Sequence, residues 1–369
     1  MKISFLTDNL RAKLSFLNHA VSGNPQLEIL SCFLLKAHKG KLVISATDLE
    51  IGISSSIAAN VEEEGETTVP AKTFFDLIGN ITEEKISLET KGQNLELVGK
   101  KIRMTFQTMP AEEFPKLYED KGEEVATLIK DTLLKEFNRV VFAASQDSGR
   151  PALSGVLVKK EKGGFLIVAT DGYRLSLKNN VLLKTKEAGE LDQLLLSARV
   201  IRELISIKQD KDITLSVSGK NNQVVFTQGE TVLVGRLIEA EYPNYQKIIP
   251  SGFDTKAEFD KDEMQKAVKI CSVFARETAN IVKFSVKKDK IVVSANSPSV
   301  GEDTVEVEAK VSGEENEIAF NGRYLLDLFS NLDEENMVFE MSGPLSAGVF
   351  KAPGDETFLH LIMPIRVQG

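Results

Sequence analysis

Apolar residues recur at three- and four-residue steps in three stretches of the chain, Thr7–Gly23, Lys130–Ser145 and Lys261–Arg276. In the second stretch Leu134, Phe137, Val141 and Ala144 fall on one stripe, the pattern of an amphipathic helix with one face on a core. Each stretch has an aspartate near its start, Asp8, Asp131 and Asp262, where a carboxylate suits the unpaired amides of a first helical turn. A second helical set follows in Pro70–Ile81, Ser197–Ile207 and Asn321–Leu332, whose starts lie 127 and 124 residues apart. Between the helices the period changes. Short alternating or wholly apolar runs such as "KLVISA", "FLIVAT", "KIVVSA" and "MVFEMSG" predict strands. Gly- and Asn-rich turns inside "KISLETKGQNLELVG" and "DITLSVSGKNNQVVFTQG" predict hairpins.

A third marker closes each group of elements: "QTMPAEEFP", "EAEYPNY" and, at the end, "LIMPIR". Three kinds of marker in one order at near-constant spacing imply internal repetition. The expected fold class is therefore α+β, with three repeated domains over residues 1–120, 121–252 and 253–369, each pairing two helices with antiparallel sheet. Polar linkers "YEDKGEE" and "PSGFDTK" mark the boundaries.

At 369 residues, 42% hydrophobic and 27% charged, the composition is that of an ordered globular chain. No apolar run approaches a bilayer span, and the first residues lack a signal-peptide core, so a cytoplasmic protein is expected. Cys32 and Cys271 stand far apart with no metal-ligand spacing around them, which predicts two buried thiols and neither a disulfide nor a metal centre. No HExxH, GxSxG, P-loop or dinucleotide fingerprint occurs, and no cofactor is expected.

"VATDGYRLSL" (Val168–Leu177) is the one stretch that looks like a catalytic loop, and "SATDLEIGIS" (Ser45–Ser54) echoes it 123 residues earlier. Asp followed by Gly between apolar runs is first of all a turn signal. A hydrolase using Asp48 and Asp171 as paired acids is the competing enzymatic reading, and a repeat scaffold that binds proteins without DNA is another. "GYRL", however, occurs in one repeat alone, and a feature added to one copy is a candidate for function.

The ordered set "MKI", "PQLEIL", "ATDLEIGI", "VPAKTFFDLI", "MPAEEFPKL", "VATDGYRLSL", "EAEYPNYQKIIP" and "MPIRV" resembles the bacterial β sliding clamp family, the processivity subunit of replicative DNA polymerase, along the whole chain. The resemblance implies half of a ring per chain, a homodimer encircling double-stranded DNA, no catalytic residue, and a hydrophobic pocket for short peptides of the replicative polymerase, clamp loader and other partners. Carried over by position, that pocket comprises Leu153, Thr170, Gly172, Tyr173, Arg174, Leu175, Pro243, Ile248, Leu361, Met363, Pro364, Ile365 and Arg366, with Arg174 and Arg366 holding acidic or carbonyl groups of the peptide. Tyr173 and Ile365 stand where the family often has His and Met.

Charge patterning agrees with a duplex partner. The net charge is −9, yet the helical segments Lys130–Ser145, Ser197–Lys208 and Lys261–Arg276 carry +1, +2 and +2. The expected duplex-facing cations are Arg11, Lys13, Lys135, Arg139, Arg150, Arg199, Arg202, Lys266, Lys269 and Arg276. Asn24 replaces an Arg common in the family's first-domain loop, which weakens the expected contact there. For the dimer interface, Ile102, Met104 and Phe106 alternate on one strand, and Val273 and Phe274 lie late in a helix.

Overall fold

The computed structural model describes residues 1–23, 25–147, 149–162, 164–182, 184–185, 192–207, 211–299 and 301–366. Asn24 and Lys208 lie outside them.

The helices form where the periodicity places them and stop slightly sooner. Helix α1 covers Thr7–Leu17 and α2 Ala71–Asn80. Near the middle of the chain α3 (Lys130–Thr132) and α4 (Asn138–Val141) flank a π-helical turn, Leu133–Phe137. Then come α5 (Ala198–Ser206), α6 (Lys261–Phe274) and α7 (Gly322–Ser330). Asp8, Asp131 and Asp262 do fall in first turns, but the side-chain caps sit elsewhere. Asp260 accepts from the Glu263 amide at 2.8 Å, and Asn321 accepts from that of Arg323 at 3.0 Å. The buried stripe of the middle helix is Leu133, Phe137, Val140, Val141 and Ala144, so Leu133 takes the place expected of Leu134. Leucine stands at both positions, and apolar spacing alone does not say which of the two faces the core.

The chain packs as two compact units. The first comprises Met1–Lys130, Lys184–Glu190 and Arg199–Leu237. The second comprises Asp131–Leu183, Leu191–Ala198 and Ile238–Gly369, so the residues expected as a middle repeat contribute to both. The first unit holds a five-stranded sheet, which ends in Arg103–Gln107, and a nine-stranded sheet; the second holds a twelve-stranded sheet. Neighbouring strands pair antiparallel throughout.

Each of the two large sheets contains a seam between successive repeats, and the seams are built alike. In the first unit Ile51–Ala58 pairs with Thr231–Arg236, setting Ile51 opposite Gly235 and Ser55 opposite Thr231. In the second Arg174–Val181 pairs with Asp355–Ile362, setting Arg174 opposite Ile362 and Lys178 opposite Phe358. An offset of 123 residues carries Ile51 onto Arg174. The same offset carries the buried Leu10, Leu14, Leu17 and Ala20 onto Leu133, Phe137, Val140 and Ala143, so helix and sheet repeat together.

The cores follow from these faces. Leu10, Leu14 and Leu17 of α1 and Phe74 and Ile78 of α2 are buried in the first unit, where the rings of Phe33 and Phe74 meet edge to face at 6.5 Å. In the second unit Met264, Val268 and Cys271 of α6 and Leu325, Leu328 and Phe329 of α7 pack into a cluster with Phe284, Phe320, Phe339 and Phe350. Cys32 and Cys271 are both buried free thiols, and burial pushes the Cys271 thiol up to about 12.

Candidate functional site

The loop that resembles a catalytic site is a turn, and the chain makes it twice. Asp171 Oδ1 accepts from the amides of Tyr173 at 2.8 Å and Arg174 at 3.0 Å, while Thr170 Oγ1 accepts from Gly172 and donates to the Arg174 carbonyl. In the first repeat Asp48 Oδ1 accepts from Glu50 and Ile51, and Thr47 Oγ1 accepts from Leu49 and donates to the Ile51 carbonyl. The central residue is left-handed in both, Gly172 at φ 92° and Leu49 at φ 74°. The second oxygen of each aspartate meets an arginine, Arg174 Nε for Asp171 and Arg199 for Asp48. Both carboxylates are thus committed to the fold, which removes the ground for a paired-acid hydrolase.

What differs is the surface around the turn. Strand Asp355–Ile362 runs beside Arg174–Val181, and where it ends the Met363 amide donates to the Tyr173 carbonyl at 2.8 Å. That bond brings Tyr173, 58% exposed, beside Met363, 38% exposed, across a gap of 190 residues in sequence. The chain then crosses to another strand, where Ile365 donates to the Ala319 carbonyl at 2.8 Å. The side chain of Leu153 lies beside Gly172, and Tyr245 and Ile249, either side of the exposed Ile248, pack on the core beneath. Pro243 and Arg366 are exposed, and Pro364 and Ile365 half-buried.

Three of the expected wall residues lie deeper than a wall. Leu175 and Leu361 are fully buried and belong to the core under the site with Val168, Ala347 and Val349, and Thr170 is buried inside the turn. Leu175 and Leu361 form the floor beneath the strand ends that the Met363–Tyr173 bond joins. Leu345, exposed in the turn that leads to Ala347 of that core, is an apolar side chain outside the expected set. Its signal was a large apolar residue directly after Gly343-Pro344, where a turn favours polar ones.

Arg174 also departs from expectation, because it faces inward. Nε meets Asp171 at 3.2 Å, Nη1 meets Asp327 at 2.6 Å, and Nη2 donates to the Phe142 carbonyl at 3.0 Å. The guanidinium lies over the Tyr324 ring at 4.6 Å. Arg174 therefore fixes the loop to α7 and is not an open cation awaiting a peptide. Below it His360 is fully buried, stacked on Phe142 at 5.2 Å, with no hydrogen-bond partner for either ring nitrogen among the described residues. Burial, with the positive charge of Arg174, holds His360 well below the ordinary histidine value. Its neutral form is the folded form, so the unfolded chain takes up a proton that the folded chain refuses. The resulting stability is complete above the unfolded value of about 6.5 and is lost as the pH falls from there toward the folded one. We expect His360→Leu to flatten the fall of the thermal midpoint between about pH 6.5 and 5, a slope of at most about 1.4 kcal/mol per pH unit. Parallel profiles for variant and parent would refute this.

Comparison with known proteins is decisive for the family. Models of the DNA polymerase III beta subunit match the chain in order, the N-terminal domain over residues 1–118, the central domain over 127–244 and the C-terminal domain over 246–366. The chain belongs to the DNA polymerase III beta subunit family, the beta sliding clamps. The beta sliding clamp of Synechococcus elongatus is 28% identical with 100% of both chains covered, and that of Staphylococcus aureus 26% with 99% of both. Among solved structures, the DNA polymerase sliding clamp of Bacillus subtilis superposes with a TM-score of 0.92 at 25% identity, and the DNA polymerase III beta subunit of Thermotoga maritima with 0.89 at 26%, each covering 100% of both chains.

The cations that a sliding clamp would turn toward DNA divide into three groups here. Lys135, Arg202, Lys266, Lys269 and Arg276 are exposed, and Lys13 is half-buried. Arg11, Arg150 and Arg199 are partly neutralised: Arg11 by Asp8 while it bonds the Ile78 and Ile81 carbonyls at the end of α2, Arg150 by Asp147, and Arg199 by Asp48 and Glu50. Arg139 must be withdrawn from the set. It is 6% exposed, lies over the Phe358 ring and is paired with Glu334 and Asp355. Position 139 faces the seam, and a buried guanidinium needs acidic partners there.

Two strand edges complete the description. Among the described residues nothing pairs with the outer edge of Arg103–Gln107. The long strand Gly301–Gly313 pairs with Thr255–Asp260 only over its last five residues, leaving Gly301–Glu308 with a strand on one side. Beside that half strand, Ile270 and Val273 of α6 are exposed. Phe106 is not available to such an edge, since its ring is buried edge to face with Phe74 at 5.7 Å; Ile102 and Met104 are half-buried. Phe274 is also half-buried and packs partly on its own core.

Proposed function

We propose that two copies of this chain close a ring around duplex DNA in the cytoplasm, and that short apolar peptides of the replicative polymerase, the clamp loader and other partners dock at Tyr173, Met363, Ile248 and Leu345. The role is topological and requires no catalysis. The hydrogen bond between Met363 and Tyr173 carries the docking part of this reading, because it brings two exposed apolar side chains from distant parts of the sequence together.

Ring closure is supported by two of the strand edges. One carries Arg103 next to the exposed Lys100 and Lys101, and the other carries Glu302, Asp303 and Glu306. Edge-to-edge pairing of a basic with an acidic strand would extend the sheet between copies and satisfy both backbones. Val273 and Ile270 would then meet Ile102 and Met104 of the partner. The basic helix faces would touch phosphates without reading bases, as sliding requires. Three domains bounded near residues 120 and 252 would each supply a pair of helices to the hole.

Retention on DNA tests the whole reading. Groove binding through phosphates weakens steeply with salt whatever the shape of the DNA. After loading, this protein is expected to stay on circular duplex at high salt and to leave once the circle is cut. Release from circular and linear DNA at the same salt would exclude encirclement.

A further inference from the structure

The 123-residue offset aligns the first helix-and-sheet layer with the second, and where the helix meets the seam the two are filled differently. In the second copy Arg139 reaches Asp355 at 2.9 Å and lies over Phe358, while Lys178 meets the same carboxylate at 2.7 Å and Thr357 at 2.6 Å. Although burial alone would raise it, the Lys178 ammonium and the Thr357 hydroxyl hold the Asp355 carboxyl below the usual range. Ions and an aromatic ring fill the space between helix and seam. Shifted by the offset, Arg139 becomes Phe16 and Lys178 becomes Ser55, and the seam partner of Ser55 is Thr231 where that of Lys178 is Phe358. Smaller residues leave a cleft of about 660 Å³ between α1 and the end of α5.

The chemistry of the cleft is mixed in a particular way. Ser55 and Thr231 line it with hydroxyls 2.9 Å apart, and Ser206 adds a third. Phe16 supplies a half-buried aromatic ring, edge to face with His19 at 5.9 Å. Lys13 and His19 bring nitrogen, and His19 Nδ1 is held by Glu203 at 2.7 Å, which leaves Nε2 as its other ring nitrogen. An aromatic wall, hydroxyls and cationic groups within one cleft of small-molecule size match a base, a sugar and phosphates.

We propose that this cleft is a nucleotide site, taking a free nucleoside diphosphate with its base against Phe16, its sugar toward the Ser55 and Thr231 hydroxyls, and its phosphates at Lys13 and His19. A base within duplex DNA is stacked on both faces and could reach Phe16 only by leaving the helix, which favours the free nucleotide. The site is independent of the peptide surface, which the second unit builds.

Calorimetric titration of the full chain with ADP tests it. One saturable site per chain is expected, with affinity lowered about tenfold or more by Lys13→Glu, by Phe16→Ala, and by Ala12→Trp, which fills the cleft from the exposed face of α1. Peptide affinity should be unchanged in all three, which controls for folding. Adenosine and inorganic pyrophosphate should each bind at least about tenfold more weakly than ADP. No saturable binding at millimolar ADP, equal affinity for pyrophosphate, or indifference to all three substitutions would each overturn the proposal.

Discussion

Val273→Asp is expected to leave a folded chain that no longer dimerises and no longer stays on circular DNA. The side chain is 53% exposed in the single chain, so the substitution leaves the third-repeat core intact, unlike Phe274→Asp, whose ring packs on that core. In the proposed ring the same position is covered by the partner's strand Arg103–Gln107, and a carboxylate there would be stripped of water. An unpaired buried charge costs about 4 kcal/mol, or roughly a thousandfold in the dimer dissociation constant. Met104→Asp should act still more strongly, because it would set an acid against Glu302 and Glu306 of the partner. Sedimentation at concentrations where the parent is dimeric decides the matter. A dimer of either variant with parental stability would place the interface elsewhere, and a lowered thermal midpoint would indicate damage within one chain.

The second large effect concerns peptide docking. Truncating Tyr173 or Met363 to Ala removes an exposed apolar anchor from a surface whose floor, Leu175 and Leu361, stays packed. Anchors of this kind carry most of the energy of small interfaces, so each variant should lose about 2 kcal/mol, roughly thirtyfold, for a polymerase-derived peptide. Arg174→Ala should also weaken docking, through release of the loop from Asp327 and Tyr324, and it should lower the thermal midpoint as well. That difference separates the anchors from the brace. Fluorescence titration beside thermal melts measures both, and unchanged affinity for Tyr173→Ala and Met363→Ala together would reduce the loop to a turn.

The six helical stretches, the hairpins and the Asp-centred turn were legible in the sequence because local rules govern them: period, capping groups and the conformations Asp and Gly favour. Charges were read less well. Arg139 and Arg174 looked like cations on helix and loop surfaces, yet besides the local Glu136 and Asp171 they meet Asp355 and Asp327, 216 and 153 residues away and beyond any local pattern. Phe106 alternates correctly with Ile102 and Met104, but alternation does not say that α2 covers its ring with Phe74. The π turn in the middle helix has no signature in the spacing of apolar residues, and with leucines at both 133 and 134 the pattern did not say that Leu133 is the buried one. The joining of Tyr173 to Met363 came from family resemblance, since nothing in either segment names the other.

The two seams also bear on how such a repeat can be lost or shortened. Within each unit a strand of one repeat completes the ladder of the next, Ile51–Ala58 against Thr231–Arg236 and Arg174–Val181 against Asp355–Ile362. Severing the chain at a repeat boundary would therefore uncover rows of amide and carbonyl groups in the middle of apolar strands such as Ile51, Ile53 and Ile57 or Leu175 and Leu177. A fragment with such an edge would recruit its own copies before it found any other partner. Cleavage at a repeat boundary is therefore expected to yield fragments that self-associate through the uncovered edge of Ile51–Ala58 or Arg174–Val181.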